Sequence, residues 1–349
     1  MAQYIIDKDY KFIPDDTKPF FSPNIICHTS NFKIENGFNK IQSMCIYEPI
    51  ISLHKYSKVL ISLSGGVDSL VCLHLYNNMY PNKVSALHIN YMNRETHNCE
   101  EAFVKYMCRQ MGITLYVRRI EEVQRSRDKT REDYEKYTNE LRFNLYRQFK
   151  DNLVILGHNY DDCLENVFSN IKKNKNLDNL FGMDKISIIR NVPIYRPLLD
   201  VTKTKIIEYA HHHNMPYLED STPKWSERGR MRDNLIPAIN DYSPDICKNL
   251  HNIRTLLMTL YNIWDVEIKQ IKIYQSDNSL MLYFNDDTFY SKNINWLNRM
   301  FQHLNKTYNI SIPKSKVLIQ LLNFKENTKI TYGKSKYIKF NDNILYICH

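Results

Sequence analysis

A hydrophobic run at residues 59–63 passes directly into Ser64-Gly65-Gly66-Val67-Asp68-Ser69 and then, without a spacer, into a stretch of helical periodicity. No other passage limits the fold as tightly. A buried-type strand that ends in paired glycines and restarts as a helix is the corner of a βαβ unit, because parallel strands need a crossover between them. The pattern repeats along the chain. Apolar runs at 84–89, 113–117, 153–156 and 186–189 alternate with helix-length amphipathic stretches at 69–80, 100–111, 134–149 and 161–171. Each stretch is long enough for a right-handed crossover, so the expected class is α/β with a doubly wound, mostly parallel sheet.

Beyond Pro237 the pattern changes. Residues 245–264, 293–305 and 314–323 have helical spacing, 266–284 reads as paired strands, and 329–332, 337–340 and 344–348 alternate like short antiparallel strands. The expected division is an N-terminal extension (1–55) without clear period, a sheet domain (56–240) and a smaller C-terminal α+β domain (241–349), the last a candidate for RNA binding. The extension is expected to pack on the sheet domain or to stay partly mobile.

Composition bounds the function. Lys and Arg number 47 against 38 Asp and Glu, a net charge of +9, which favours a polyanionic partner, nucleic acid first. No apolar run approaches the roughly 20 residues that span a bilayer, and the start lacks a basic and an apolar signal region, so a soluble cytoplasmic protein without a membrane partner is expected. The eight cysteines include no C-x-x-C pair and read as scattered reduced thiols.

The chemistry starts at the glycine turn. In an open parallel sheet, ligands bind beyond the carboxyl ends of the strands, and Gly65 and Gly66 let a phosphate approach main-chain N–H groups there. The helix that follows adds its positive end, and Ser64 and Ser69 add hydroxyls. No Gly-Lys-Ser/Thr follows, which disfavours a γ-phosphate-transferring P-loop. Asp68 facing phosphates implies an intervening Mg²⁺. A plain strand-to-helix turn would use the same glycines, with Ser or Asp as its cap.

A second strand end, Leu156-Gly157-His158-Asn159-Tyr160-Asp161-Asp162-Cys163-Leu164-Glu165-Asn166, places adjacent carboxylates on the same sheet edge. Asp162 and Glu165, three apart, share a helical face and suit Mg²⁺ or a cationic amine, while His158 suits nucleotide contact or proton transfer. Simple helix capping would use the same residues. Further on, Arg228, Arg230 and Arg232 fall within five residues, beside Lys224 and Trp225, in a pattern fit to clamp phosphate or to sit as a solvated basic loop.

These passages together resemble the PP-loop ATP pyrophosphatases, and within them the tRNA(Ile)-lysidine synthase branch. The turn Ser64 to Ser69 is similar to the family's SGGxDS. His88, Asn90 and Arg94 match H-x-N-H-G-L-R, and Glu135, Glu140 and Arg142 are spaced like E-x-x-A-R-E-x-R-Y. The 156–166 passage matches L-G-H-H-x-D-D-Q-x-E-T. Arg196 opens a stretch like R-P-L-L that runs through Lys203, Tyr209 and Ala210 to Asp220, and 228–237 resembles R-N-x-I-R followed by a hydrophobic residue and Pro. The likeness covers about residues 56–240, and weakly 314–349. Departures are Tyr91, Asn166 and Gly229, and the loop at 170–176.

The resemblance implies an adenine nucleotide alpha hydrolase-like fold and a cytoplasmic tRNA-modifying ligase that uses ATP and Mg²⁺. It implies that the turn and His88, Asn90, Arg94 and His158 bind nucleotide, with Asp68 and Asp162 on the metal. Asp68, Asp161, Asp162, Glu165, Arg228 and Arg232 become the expected catalytic set, and Glu135, Glu140, Arg142, Arg196 and Asp220 the substrate contacts. An anticodon cytidine would be adenylated at its C2 oxygen and then attacked by free lysine, its amine positioned by Asp162.

Two alternatives stay open. A tRNA thiolase would need a cysteine pair or iron–sulfur cluster, for which Cys99 and Cys108 are the candidates, and the lack of C-x-x-C argues against it. A non-catalytic RNA-binding scaffold is motivated by the altered 170–176 loop. Lys172 to Lys175 and the basic residues Arg118, Arg119, Arg125, Arg127, Lys129 and Arg131 suit an RNA backbone. Monomer and homodimer are both compatible with the sequence.

Overall fold

A computed structural model of the chain describes residues 25–26, 56–93, 95–120, 131–175, 180, 182–219, 222, 224–284, 289, 292–323, 329–333 and 336–348. The expected extension, apart from Ile25–Ile26, and the basic run at 121–130 lie outside the described residues. So do Arg94 and Asp220. The chain divides into two compact units, Met1–Asn166 with Met183–Asp233, and Val167–Gly182 with Asn234–His349.

The first unit runs β1 (Ile25–Ile26), β2 (Lys58–Ser62), α1 (Val67–Met79), β3 (Val84–Asn90), α2 (His97–Gln110), β4 (Thr114–Arg119), α3 (Arg131–Tyr146), β5 (Asn152–Ile155), α4 (Tyr160–Lys172), β6 (Ile186–Ile189), β7 (Val192–Tyr195), α5 (Lys203–His212), β8 (Tyr217–Leu218) and the short α6 (Glu227–Arg230), with α4 ending in residues of the second unit. Six strands form one sheet in the order β4-β3-β2-β5-β7-β6. All neighbours pair parallel except β6 with β7. The central strand β2 is buried on both sides. Val59, Ile61 and Leu63 pack with α1, α2 and α5, while Leu60 faces the opposite core with α3. A strand sandwiched this way is apolar on both faces, which is why Val59, Leu60 and Ile61 are consecutive apolar residues; Ser62, at the strand's end, is satisfied by the Tyr146 hydroxyl.

The run 186–189 departs from its expected role as a parallel strand. It is the antiparallel edge strand β6, with Ile188 71% exposed, and the parallel neighbour of β5 is β7. The two are joined at Arg190 and Asn191, whose φ values of 50° and 64° are those of a tight hairpin turn. Four consecutive apolar or small residues do not reveal whether a strand lies at a sheet's centre or edge; the turn decides it.

The second unit contains α7 (Ile236–Tyr242), α8 (Asp245–Gln270), β9 (Lys272–Ser276), β10 (Ser279–Tyr283), α9 (Ile294–Tyr308), α10 (Ser315–Leu322), β11 (Lys329–Gly333), β12 (Lys336–Asn341) and β13 (Ile344–Cys348). Its strands form an antiparallel sheet ordered β11-β12-β13-β10-β9. The expected strand start at 266 is corrected: α8 continues to Gln270, because Ile268 extends the buried helical stripe of Tyr261 and Trp264. Helix α9 shows the local logic well. Asn293 caps it by accepting from the Trp296 N–H at 2.9 Å, Trp296, Leu297, Met300, Phe301 and Leu304 form one buried face, and Asn309 closes it at φ 56°. Among the described residues no helix is long and apolar enough to cross a membrane.

His74 on α1 is buried against α5, its Nδ1 2.9 Å from the Tyr209 hydroxyl and its ring 5.0 Å from that of His213. Burial, reinforced by His213, pushes its pKa down to about 4. The folded state thus binds fewer protons than the unfolded chain below about pH 6.5. The associated stability is complete above that value and is lost as pH falls toward 4. Urea unfolding is expected to show about 2 kcal/mol less stability at pH 5 than at pH 7 from this group, and His74→Gln should flatten the slope.

Candidate functional site

The turn at Ser64–Ser69 is held by a ring of small hydrogen bonds. The Gly66 N–H donates to Ser64 Oγ at 3.3 Å, the two serine hydroxyls lie 3.1 Å apart, and Ser69 Oγ donates to the Gly66 carbonyl at 3.0 Å. The Ser64 N–H also donates to Ser69 Oγ, at 3.2 Å. Gly65 has φ +90°, a conformation that L side chains rarely adopt, and a Cβ there would also displace Leu218 Cδ1, 2.6 Å away. Gly65 and Gly66 are tied to β8, the Leu218 N–H donating to the Gly65 carbonyl at 3.0 Å.

His88 supports the turn from β3. Its Nδ1 donates to the Leu63 carbonyl at 2.9 Å, and burial lowers its pKa, so the ring is neutral with Nε2 as acceptor. Asn90 is equally buried. Its amide donates to Glu101 Oε2 at 2.9 Å, and its Oδ1 accepts from the Met92 N–H at 3.0 Å. Burial alone would push the Glu101 carboxyl up, but Arg119, Lys105 and Asn90 hold it well below the usual range. Two expected nucleotide contacts therefore spend their recorded hydrogen bonds on shaping the strand ends around the turn.

The second motif meets the first directly. A Cβ on Gly157 would lie 3.0 Å from the Asp68 carbonyl carbon and from the Ser69 nitrogen, both backbone atoms, so any larger residue would push this backbone apart by a few tenths of an ångström. The next residues complete the junction. Asn159, 2% exposed, donates from Nδ2 to Asp68 Oδ1 at 2.9 Å. Its N–H donates to Asp162 Oδ2 at 3.1 Å, and its Oδ1 accepts from the Asp162 N–H at 3.0 Å. The Asp68 and Asp162 carboxylates thus converge on one residue, the first on its side chain and the second on its backbone. The other Asp68 oxygen takes Lys203 Nζ at 2.6 Å.

Asp162 and Glu165 share a face of α4 and engage two arginines. Arg228 bonds to Asp162 and, at 2.7 Å from Nε, to Glu165 Oε2. Arg232 bonds to Glu165 and reaches Asp162 Oδ1 at 3.3 Å. Ser226 starts the helix that carries Arg228, its hydroxyl accepting from the Gly229 N–H at 3.0 Å. Buried Glu165 has its charge matched there, and more than half of the Arg228 side chain remains open to solvent. Asp161 points elsewhere, accepting the Lys203 N–H at 2.7 Å at the start of α5.

His158 accepts at Nδ1 from Arg196 Nε at 3.2 Å, which leaves its proton on Nε2. Burial pushes its pKa down to about 4, Asp162 opposing the shift and Arg196, Arg228 and Arg142 adding to it. Arg196 also donates to the Asp184 carbonyl at 2.7 Å and to Ser187 Oγ at 2.9 Å. Arg142 on α3 lies near the buried Tyr146, whose hydroxyl donates to Ser62 Oγ at 2.7 Å. Glu135 and Glu140 lie on the exposed side of α3.

Asn159 and Lys203 join this junction although sequence reasoning assigned neither a site role. Lys203 lies 135 residues from Asp68, so no local signal announces the pair. Asn159 had one, its place beside His158 in the second motif. The described residues form no cluster of three or more metal-ligating His, Cys, Asp or Glu side chains. Among the hard oxygens beside the turn, those of Asp68 are matched by one ammonium, from Lys203, and those of Asp162 by two guanidiniums, so Asp68 is the better fit for a divalent cation, which would take the place of Lys203.

Gly157→Ala is expected to destabilise the fold by about 1–3 kcal/mol in urea unfolding, since backbone must shift. Gly66→Ala, where the nearest atom is 3.6 Å away and φ is −70°, should stay near wild type.

Comparison with known proteins adds the following. A family described as a PP-loop domain matches residues 33–239. The tRNA(Ile)-lysidine synthase of Chlamydia muridarum is 32% identical over 196 residues, covering 54% of this chain and 60% of that protein. That of Staphylococcus epidermidis (strain RP62A) is 26% identical over 225 residues, 62% of this chain and 50% of its own length. The chain thus spans about half to three-fifths of such relatives. Among solved structures, a U34-tRNA thiolase, NcsA from Methanococcus maripaludis, aligns with a TM-score of 0.52 at 17% identity, over 63% of this chain and 76% of that one, a likeness of fold.

Proposed function

This chain belongs to the PP-loop domain family, and from that premise we propose that it is an ATP-dependent tRNA-modifying ligase that converts an anticodon cytidine to its lysine adduct. The supporting observation is the meeting of Asp68 and Asp162 on Asn159 beside the Gly65-Gly66 turn. It gathers a phosphate-accepting turn, two carboxylates and two arginines at one sheet edge.

In this reading the N–H groups at the start of α1 receive the ATP phosphates. The C2 oxygen of cytidine attacks the α-phosphorus and pyrophosphate leaves. The lysine amine then attacks C2 and AMP departs, carrying the former C2 oxygen on its phosphate. Arg228 and Arg232, fixed by Asp162 and Glu165, present their remaining donors to charge developing on phosphorus. We assign Asp162 and Glu165 this holding role ahead of positioning the amine, because an ammonium would compete with two guanidiniums. Neutral His158 offers its Nε2 proton as a hydrogen bond. Asp68 would hold Mg²⁺, which when bound neutralises the departing pyrophosphate. Residues 56–240 carry this chemistry, and 241–349 contribute RNA contacts.

Incubation with tRNA, ATP and labelled lysine, followed by nucleoside mass spectrometry, should show cytidine gaining lysine less water. Asp68→Asn should lower pyrophosphate release by at least ~100-fold, and Gly66→Ala should weaken nucleotide binding while leaving stability unchanged. Pyrophosphate release without incorporation would remove lysine from the scheme. No tRNA-dependent pyrophosphate release would remove adenylation.

A further inference from the structure

Strand β6 closes one end of the six-stranded sheet, and among the described residues no strand pairs with its outer edge. Its pairing with β7 fixes which backbone groups face outward. The Arg196 N–H donates to the Lys185 carbonyl at 2.8 Å, and the next residue, Ile186, stands opposite Tyr195. Bonded and non-bonded pairs alternate along an antiparallel ladder. Ser187 and Ile189 therefore direct their N–H and C=O groups to β7, while those of Ile186 and Ile188 point over the open edge. The side chains of these same two residues are open as well, 50% and 71% exposed.

Natural sheets blunt such an edge with lysine, proline or an inward-pointing charge. The strand itself, Ile-Ser-Ile-Ile, has none of these. Charge stands at its two ends instead, with exposed Asp184 before it and exposed Arg190, its guanidinium 5.2 Å from the Phe143 ring centroid, in the turn after it. Lys185 is matched by Asp200 at 2.8 Å. The outward series thus runs acid, Ile186, Ile188, base, and it is complementary to its own reverse. In an antiparallel pair centred on Ser187, Ile186 of each copy stands opposite Ile188 of the other, and each Asp184 end lies beside an Arg190 end. Both isoleucine pairs then exchange hydrogen bonds through the groups that β7 leaves over. A slide of two residues in either direction would set isoleucine against a charged end.

We propose that β6 is an interface between two copies of this chain, joined edge to edge about a two-fold axis at Ser187 into one continuous sheet. Such a contact uses the same patch on both copies and closes on itself. It goes beyond the catalytic reading and touches it at one point. Arg196, which donates to His158, also donates to the Asp184 carbonyl and the Ser187 hydroxyl, so pairing steadies the strand that positions Arg196.

Sedimentation equilibrium of the full chain, without ATP or RNA, tests this. Between about 1 and 100 μM, the mass should rise from that of the 41.8 kDa chain toward twice that value. Amide hydrogen exchange in the peptide spanning 184–190 should slow over the same range, while that of β4, the opposite edge, stays constant. Ile188→Lys should keep the urea midpoint and raise the dimer Kd at least ~10-fold. Asp184→Arg gives copies with two basic ends, and Arg190→Asp gives copies with two acidic ends. Each alone should raise the Kd at least ~10-fold, and an equimolar mixture of the two should dimerise about as tightly as wild type. A chain that stays monomeric at about 100 μM, a dimer indifferent to Ile188→Lys, or charge variants that fail to recover on mixing would overturn the proposal. An edge covered by another part of the same chain would give the first of these results.

Discussion

Everything at the sheet edge depends on one backbone contact, the passage of Gly157 against the Asp68–Ser69 peptide at a distance where a Cβ would force the backbone to give. It forces the end of β5 and the start of α1 together. Adjacent parallel pairing of β2 with β5 makes the approach geometrically available, and glycine makes it sterically allowed. Once closed, the contact brings Asn159 within reach of Asp68, and through it Asp162 and α4. A side chain at position 157 would separate the two motifs.

Charge is organised around that contact in closed sets. Asp68 is answered by Lys203, and Asp162 with Glu165 by Arg228 and Arg232. Glu101 is answered by Arg119 and Lys105. Half-buried carboxylates are costly unless paired, so each set fixes its members' positions as well as their charge state. The neutral histidines complement this. His158 and His88, both depressed by burial, act as fixed hydrogen-bonding groups, one held by Arg196 and the other holding Leu63.

The C-terminal sheet follows the opposite electrostatic rule. In the first unit, opposed charges meet wherever a carboxylate is buried; on the outer face of β9 to β13, Lys329 meets Lys339 and Tyr337. The inner face accounts for stability, with Trp296, Phe301 and Phe340 fully enclosed. The outer face is thereby free to carry residues that do not help the fold.

The sequence by itself determined the α/β class, the order of the first strands and the turn chemistry of Ser64–Ser69. These are local properties: a doubly buried strand is apolar on both faces, and a turn residue at φ +90° favours glycine. Helix α8 outran its expected end and β6 took the edge, because apolar content does not state which partner a residue packs on. Only the tertiary structure decided that Asn159 links two acids, that Lys203 answers Asp68, that Asp161 turns away to α5, and that Arg228 and Arg232 close on Asp162 and Glu165. Apart from the local Asn159–Asp162 bonds, those pairings join residues dozens to more than a hundred positions apart, and their partners are chosen by sheet order and helix packing, which no short stretch of sequence encodes.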